Sequence, residues 1–113
     1  MGPFAAGQVV LLPFPFSDLT GSKLRPVLLL ADAGRGDWIA CQITSNPYAD
    51  PQAILLEDDA FEDGGLERVS WMRPGKLFTA NERLIRNVRG AVHRHVLSRL
   101  RDAVVRMVLA ERA

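Results

Sequence analysis

The chain is poor in the groups that carry most enzyme chemistry. Among 113 residues there are one cysteine and two histidines. A lone cysteine, Cys41, excludes an internal disulfide and suits a reducing compartment. It lies in the apolar stretch Ile39-Ala40-Cys41-Gln42-Ile43, where a thiol is expected to pack rather than react. No apolar run approaches the ~20 residues that span a bilayer. The N-terminus lacks a basic stretch followed by an apolar core, so no signal peptide is expected and the chain is read as cytoplasmic. Aromatics are scarce at 7%, and net charge is only +1. The near-neutral total hides an asymmetry. Residues 46–75 carry two basic and seven acidic side chains, whereas 76–113 carry nine basic and three acidic. Such a split fits a polyanion partner, an acidic protein partner or internal compensation.

What is present is organised around Lys23-Leu24-Arg25-Pro26-Val27-Leu28-Leu29-Leu30. A charged pair leads into an uninterrupted apolar run, which reads as a strand buried on both faces or at the centre of a small sheet. Pro26 lacks a backbone donor and suits the start of that strand. Arg25 then stands at the strand mouth, with its stem on the rim and its guanidinium toward solvent or a ligand. If residues 38–44 form the neighbouring strand, Arg25 and Thr44-Ser45 share one end of the sheet.

Other elements follow from pattern. Residues 8–12 form a first strand, and Pro13-Phe14-Pro15-Phe16 an extended rim. Residues 17–22 are turn formers and read as an exposed loop. A turn is expected over 32–36, and no regular element in Asn46-Pro47-Tyr48-Ala49-Asp50-Pro51. Residues 52–57 form a short strand, and the acidic stretch 58–65 reads as loop. Residues 66–71 alternate as a strand that Pro74-Gly75 breaks, and Lys76-Leu77-Phe78 makes another. Thr79-Ala80-Asn81-Glu82 has capping-box spacing for a short helix to about residue 84. A final strand spans 85–92, with Gly90 marking a bulge or close approach. From His93 onward, Val96, Leu97, Leu100, Val104, Met107 and Val108 recur at helical spacing, with Arg94, Arg101 and Arg112 mostly off that stripe. The expectation is one domain over residues 1–113. It is mostly β with helices (α+β): a small, mostly antiparallel barrel with a C-terminal amphipathic helix.

The order of Gly7-Gln8-Val9-Val10, Phe14-Pro15-Phe16, the Arg25-Pro26 strand, Ile43-Thr44-Ser45, Gly65-Leu66 with Ser70, Lys76-Leu77 with Thr79, Gly90 and the terminal helix resembles the PemK/MazF family of toxin–antitoxin toxins. The resemblance runs from about residue 7 to residue 109. It implies an SH3-like barrel with helices, a homodimer and an endoribonuclease that cuts single-stranded RNA at short sequences without a metal or cofactor. A cognate antitoxin protein would inhibit it. Within that resemblance Arg25, Thr44, Ser45 and Arg73 are the catalytic candidates. Lys23, Phe16, Gln42, Trp71 and Lys76 are candidate RNA contacts, the two aromatics as stacking faces.

Such cleavage needs deprotonation of a 2′-hydroxyl, stabilisation of a pentavalent phosphorane and protonation of the leaving 5′-oxygen. The Arg25 fork fits two phosphate oxygens, and the Thr44 hydroxyl can donate to the phosphate. Some members carry Arg-x-Asp as acid and base. Here Arg73 is followed by Gly75 where that aspartate aligns, and the first loop has no histidine. His93 and His95 fall at the start of the last helix and are expected at the surface. The proton acceptor is therefore left between Arg25, despite the strong basicity of a guanidinium, and a water or backbone group. Two other readings stay open. One is a CcdB-like gyrase poison on the same barrel; the other is a degenerate nucleic-acid or protein binding module.

Overall fold

The computed structural model describes residues 2–14 and 23–111. Strands β1 (Gln8–Phe14), β2 (Lys23–Gly34), β3 (Asp37–Thr44), β4 (Ile54–Leu56), β5 (Phe61–Gly64), β6 (Ser70–Asn81) and β7 (Asn87–Val92) precede one α-helix, α1 (Arg94–Leu109). They form a single sheet in the order β4-β6-β3-β2-β1-β7-β5, antiparallel throughout, curved as a half-barrel. No helix among the described residues is long and apolar enough to cross a membrane.

β2 is the middle strand, and its apolar run is buried on both faces. Successive strand side chains point to opposite faces, so an unbroken run requires two cores. Val27 and Leu29 pack with Val10, Leu12, Trp38 and Ala40. Leu28 and Leu30 join Val9, Cys41, Ile43 and Met72 on the other side, where Val96, Leu97 and Leu100 of α1 close the layer. Leu30 is the extra residue where the β2–β3 register shifts between Leu29 and Ala31. Its carbonyl accepts two hydrogen bonds from Arg101, from Nε at 3.2 Å and Nη2 at 2.9 Å. An arginine off the apolar stripe thus pins the helix to the central strand, a charged contact typically worth about 1.5–3 kcal/mol.

The structure departs from the sequence reading at several points. Pro74-Gly75 does not end a strand: β6 runs through it as a bulge, because pairing jumps from Ile43–Met72 to Cys41–Leu77. A proline is tolerated where the ladder asks for no donor, and the Pro74 ring is fully buried. The capping residue is Asn81, whose side chain accepts from the Arg83 amide at 3.0 Å and opens a 3₁₀ turn over Glu82–Leu84. Thr79 stays in β6, paired with Ile39. The acidic stretch holds a 3₁₀ turn (Asp58–Ala60) and the edge strand β5 rather than loop alone. Its exposed Glu62 and Asp63 hid it from the pattern, yet charges on an edge strand discourage pairing with other chains. The helix stripe also ends early, since Val108 is 75% exposed.

Gly90 marks both a bulge and a close approach. Pairing with β1 skips Arg89, and a Cβ on Gly90 would collide with the Asp63 carbonyl oxygen, as one on Gly64 would with that of Arg89. Gly34 (φ +88°) needs its glycine for conformation alone, with open space around it. Gly90→Ala is therefore expected to cost about 3 kcal/mol or more, against about 1 kcal/mol for Gly34→Ala. Urea unfolding of the two variants measures the difference.

Candidate active site

The β2–β3 register builds the site. Val27 stands opposite Gln42. Two residues further along each strand, on the same face, come Arg25 and Thr44. Both line a cleft of about 610 Å³ together with Gln42, Ser45, Asn46, Tyr48, Glu67, Arg68, Ser70 and Arg89. Arg68 comes from the loop before β6, where the buried Ser70 hydroxyl donates to its carbonyl at 3.0 Å. Arg89 is the extra residue of the β7 bulge, a device that re-aims a side chain. Among the described residues, Arg25, Arg68 and Arg89 form no ion pair, and Glu67 is the one carboxylate lining the cleft. Unpaired cations around a partly apolar hollow suit a polyanion.

The segment from Thr44 to Gln52 shapes one wall through three short side-chain-to-backbone turns. Thr44 Oγ1 accepts from the Asn46 amide at 3.1 Å and donates to the Asn46 carbonyl at 2.9 Å. Asn46 Oδ1 accepts from the Tyr48 amide, and Asp50 Oδ1 from the Gln52 amide, both at 2.9 Å. Between these turns Tyr48 (φ 54°) and Ala49 (φ 57°) adopt left-handed backbone, uncommon for such residues. Arg73 braces the segment from β6. Its Nε donates to Asp50 Oδ2 at 3.0 Å, its Nη1 reaches Gln42 Oε1 at 3.4 Å, and its guanidinium lies 5.5 Å from the Tyr48 ring centroid. The Gln52 amide, then Arg73, hold the Asp50 carboxyl below its ordinary range.

The candidates from the sequence fall into two groups. Arg25, Gln42, Thr44 and Ser45 share the cleft. Arg73 stands behind it, bonded to Gln42 rather than lining it. Trp71 pairs with Thr44 and Leu55 in the ladder, half-buried and outside the lining. Lys23 and Lys76 are exposed and also outside it. Phe16 lies outside the described residues. The sequence reading missed Arg68, Arg89, Tyr48 and Asp50. The last two were legible only as part of a proline-flanked strand ending. Gly75 faces the helix: a Cβ there would stand 3.5 Å from Met107 Sδ. His93 and His95 stack on each other at 5.4 Å and line a separate groove along α1. No group of His, Cys, Asp and Glu among the described residues is arranged to hold a metal ion.

Cys41 is buried, donates to the Arg73 carbonyl at 3.2 Å, and has its pKa pushed up to about 12 by burial. The native thiol is expected to resist iodoacetamide at pH 8 and to react once urea unfolds the chain. Asp50 and Arg73 side chains are each 16% exposed, so their pair is only partly screened by solvent. Asp50→Asn is expected to cost about 1–2 kcal/mol at pH 7. A depressed carboxyl stabilises the fold above its unfolded pKa of about 3.9 and loses that effect as protonation proceeds. The gap between wild type and Asp50→Asn in urea unfolding should therefore close as pH falls below about 4.

Comparison with known proteins places this geometry in a family. Residues 5–108 match the model of the PemK-like, MazF-like toxin of type II toxin–antitoxin systems. Similar solved structures include a mycobacterial endoribonuclease in complex with its cognate antitoxin (14% identity, all of both chains, TM-score 0.70). Another is MazE–MazF Form-III from Deinococcus radiodurans (22% identity, 94% of this chain and 96% of that one, TM-score 0.72). At such identities they attest to the fold alone. No match was found among curated protein sequences. The family model covers nearly the whole chain, and the chain belongs to the PemK-like, MazF-like toxins of type II toxin–antitoxin systems.

Proposed function

We propose that the chain is a toxin endoribonuclease that cleaves single-stranded RNA by metal-independent attack of a 2′-hydroxyl on the adjacent phosphate. The observation that supports this most is the convergence on one cleft of the Thr44 and Ser45 hydroxyls with Arg25, Arg68 and Arg89, which form no ion pair among the described residues. Arg25 grips two non-bridging phosphate oxygens and stabilises the charge that builds on the phosphorane. The Thr44 proton is engaged by the Asn46 carbonyl, so a phosphate must draw it away. The Ser45 hydroxyl makes no hydrogen bond among the described residues and donates at no such cost. Glu67 is the cleft's own carboxylate and takes the 2′-hydroxyl proton directly or through water. The leaving 5′-oxygen takes its proton from water in the open cleft, which the protonated Glu67 can resupply, so the products are a 2′,3′-cyclic phosphate and a 5′-hydroxyl. Arg73 serves as a brace on Gln42 and Tyr48, and Lys23 and Lys76 as outlying charges along the RNA path.

The partners follow the same reading. Similar structures include an endoribonuclease with its cognate antitoxin and a MazE–MazF assembly. By analogy this chain forms a homodimer in the cytoplasm, and an antitoxin with an acidic segment neutralises it by occupying the cationic cleft. Purified protein incubated with a long single-stranded RNA in EDTA is expected to give discrete fragments ending in cyclic phosphate. Arg25→Ala should lower the rate by about 10²–10³, and Arg25→Lys should restore only part of it, because an ammonium lacks the fork. A folded wild type that leaves RNA intact would sink this reading and favour a gyrase poison or a binding module.

A further inference from the structure

We propose that Tyr48 is the platform on which one unpaired base of the RNA stacks, with Arg73 and Asp50 as positioning residues behind it. The inference deepens the ribonuclease reading and rests on it. Tyr48 is the sole tyrosine in the chain, and 64% of its surface is exposed. The other aromatic lining the cleft, Phe14, is buried in the core. The Tyr48 ring is nonetheless not loose. Its amide is held by Asn46 Oδ1, and the Asp50 amide donates to the Pro47 carbonyl at 2.9 Å. The left-handed backbone at Tyr48 and Ala49 is disfavoured for such residues, and these contacts hold it in place. Among the described residues, neither core cluster includes the ring. Arg73 supports it as a cation beside a π-face, and Asp50 fixes Arg73 in turn.

A solvent-facing aromatic, held rigid against its own backbone preference and set beside Arg25, Thr44 and Ser45, is suited to a nucleobase. Stacking on such a ring needs no particular base, so Tyr48 anchors the strand and leaves discrimination to other groups. Arg73, with Asp50 neutralising part of its charge, polarises the ring without competing for the phosphate. The sequence pointed to Trp71 and Phe16 for this task. Trp71 lies outside the cleft lining, and Tyr48 is the exposed ring that the described residues bring into it.

The test uses a short 2′-O-methyl RNA, which cannot be cleaved, spanning the site read from wild-type fragment ends. Fluorescence anisotropy compares wild type with Tyr48→Ala, Tyr48→Leu and Tyr48→Phe. Circular dichroism and Tm check that each variant folds. Ala and Leu are expected to weaken binding by about 5- to 150-fold, while Phe retains it, because the face and not the hydroxyl is used. One abasic nucleotide walked along the oligonucleotide should weaken wild type at a single position, where Tyr48→Ala loses nothing further. Asp50→Asn should weaken binding in the same direction by less. Equal binding by wild type and Tyr48→Ala overturns the proposal and leaves the ribonuclease standing. So does the absence of any coupled abasic position, or a loss confined to dimerisation or to binding an acidic peptide. Wild type that neither cuts nor binds RNA removes both.

Discussion

The fold depends on burying four consecutive apolar residues of β2 on two sides at once. A strand with that demand cannot sit at an edge or under a single layer. It takes the centre of the sheet, and each face must be covered by something else in the chain. Residues of β1 and β3 complete one core and α1 closes the other. Arg101 ties the helix to the carbonyl of Leu30, the extra residue at the first β2 register shift. The cleft is a by-product of this packing. Once register is set by the core, the charged end of β2 and the hydroxyl end of β3 have no separate choice of position. A one-residue slip would send Arg25 and Thr44 to opposite faces along with every core side chain.

Bulges do much of the aiming. At Leu30 the extra residue creates a dock for the helix, at Arg89 it turns a cation toward the cleft, and at Pro74-Gly75 it lets β6 bend past α1. Each lies beside a regular ladder that holds it in register. The site therefore combines a rigid frame with local irregularity, which brings Arg25, Arg68 and Arg89 to one cleft with no ion pair among the described residues.

The centre of this architecture was legible in the sequence because its signals are local. An unbroken run predicts a doubly buried strand, and helical spacing after His93 predicts α1. Arg25-Pro26 and Ile43-Thr44-Ser45 stand at strand ends that the core forces together. What escaped notice depends on distant partners. β5 is a strand because Phe61 pairs with Val92 and Gly64 fits against Gly90, and its own acidic residues argue otherwise. The role of Pro74-Gly75 follows from its mismatch with β3, which no reading of β6 alone contains. Asp50 meets Arg73 across 23 positions of chain. The family pattern directed attention to position 75 for a carboxylate beside Arg73, whereas the structure supplies one from the opposite side.

In the wall between β3 and β4, the residues that shape the backbone and those that the cleft displays overlap at Thr44 and Asn46 but are otherwise distinct. Thr44, Asn46 and Asp50 hold the chain through their side-chain oxygens. Ser45 and Tyr48 project from it into the cleft. Such a division lets the two sets diverge at different rates. Replacements at the projecting positions alter what the surface meets while the supporting oxygens keep the wall upright. A toxin built this way can change its target in single steps, without passing through an unfolded or inactive ancestor.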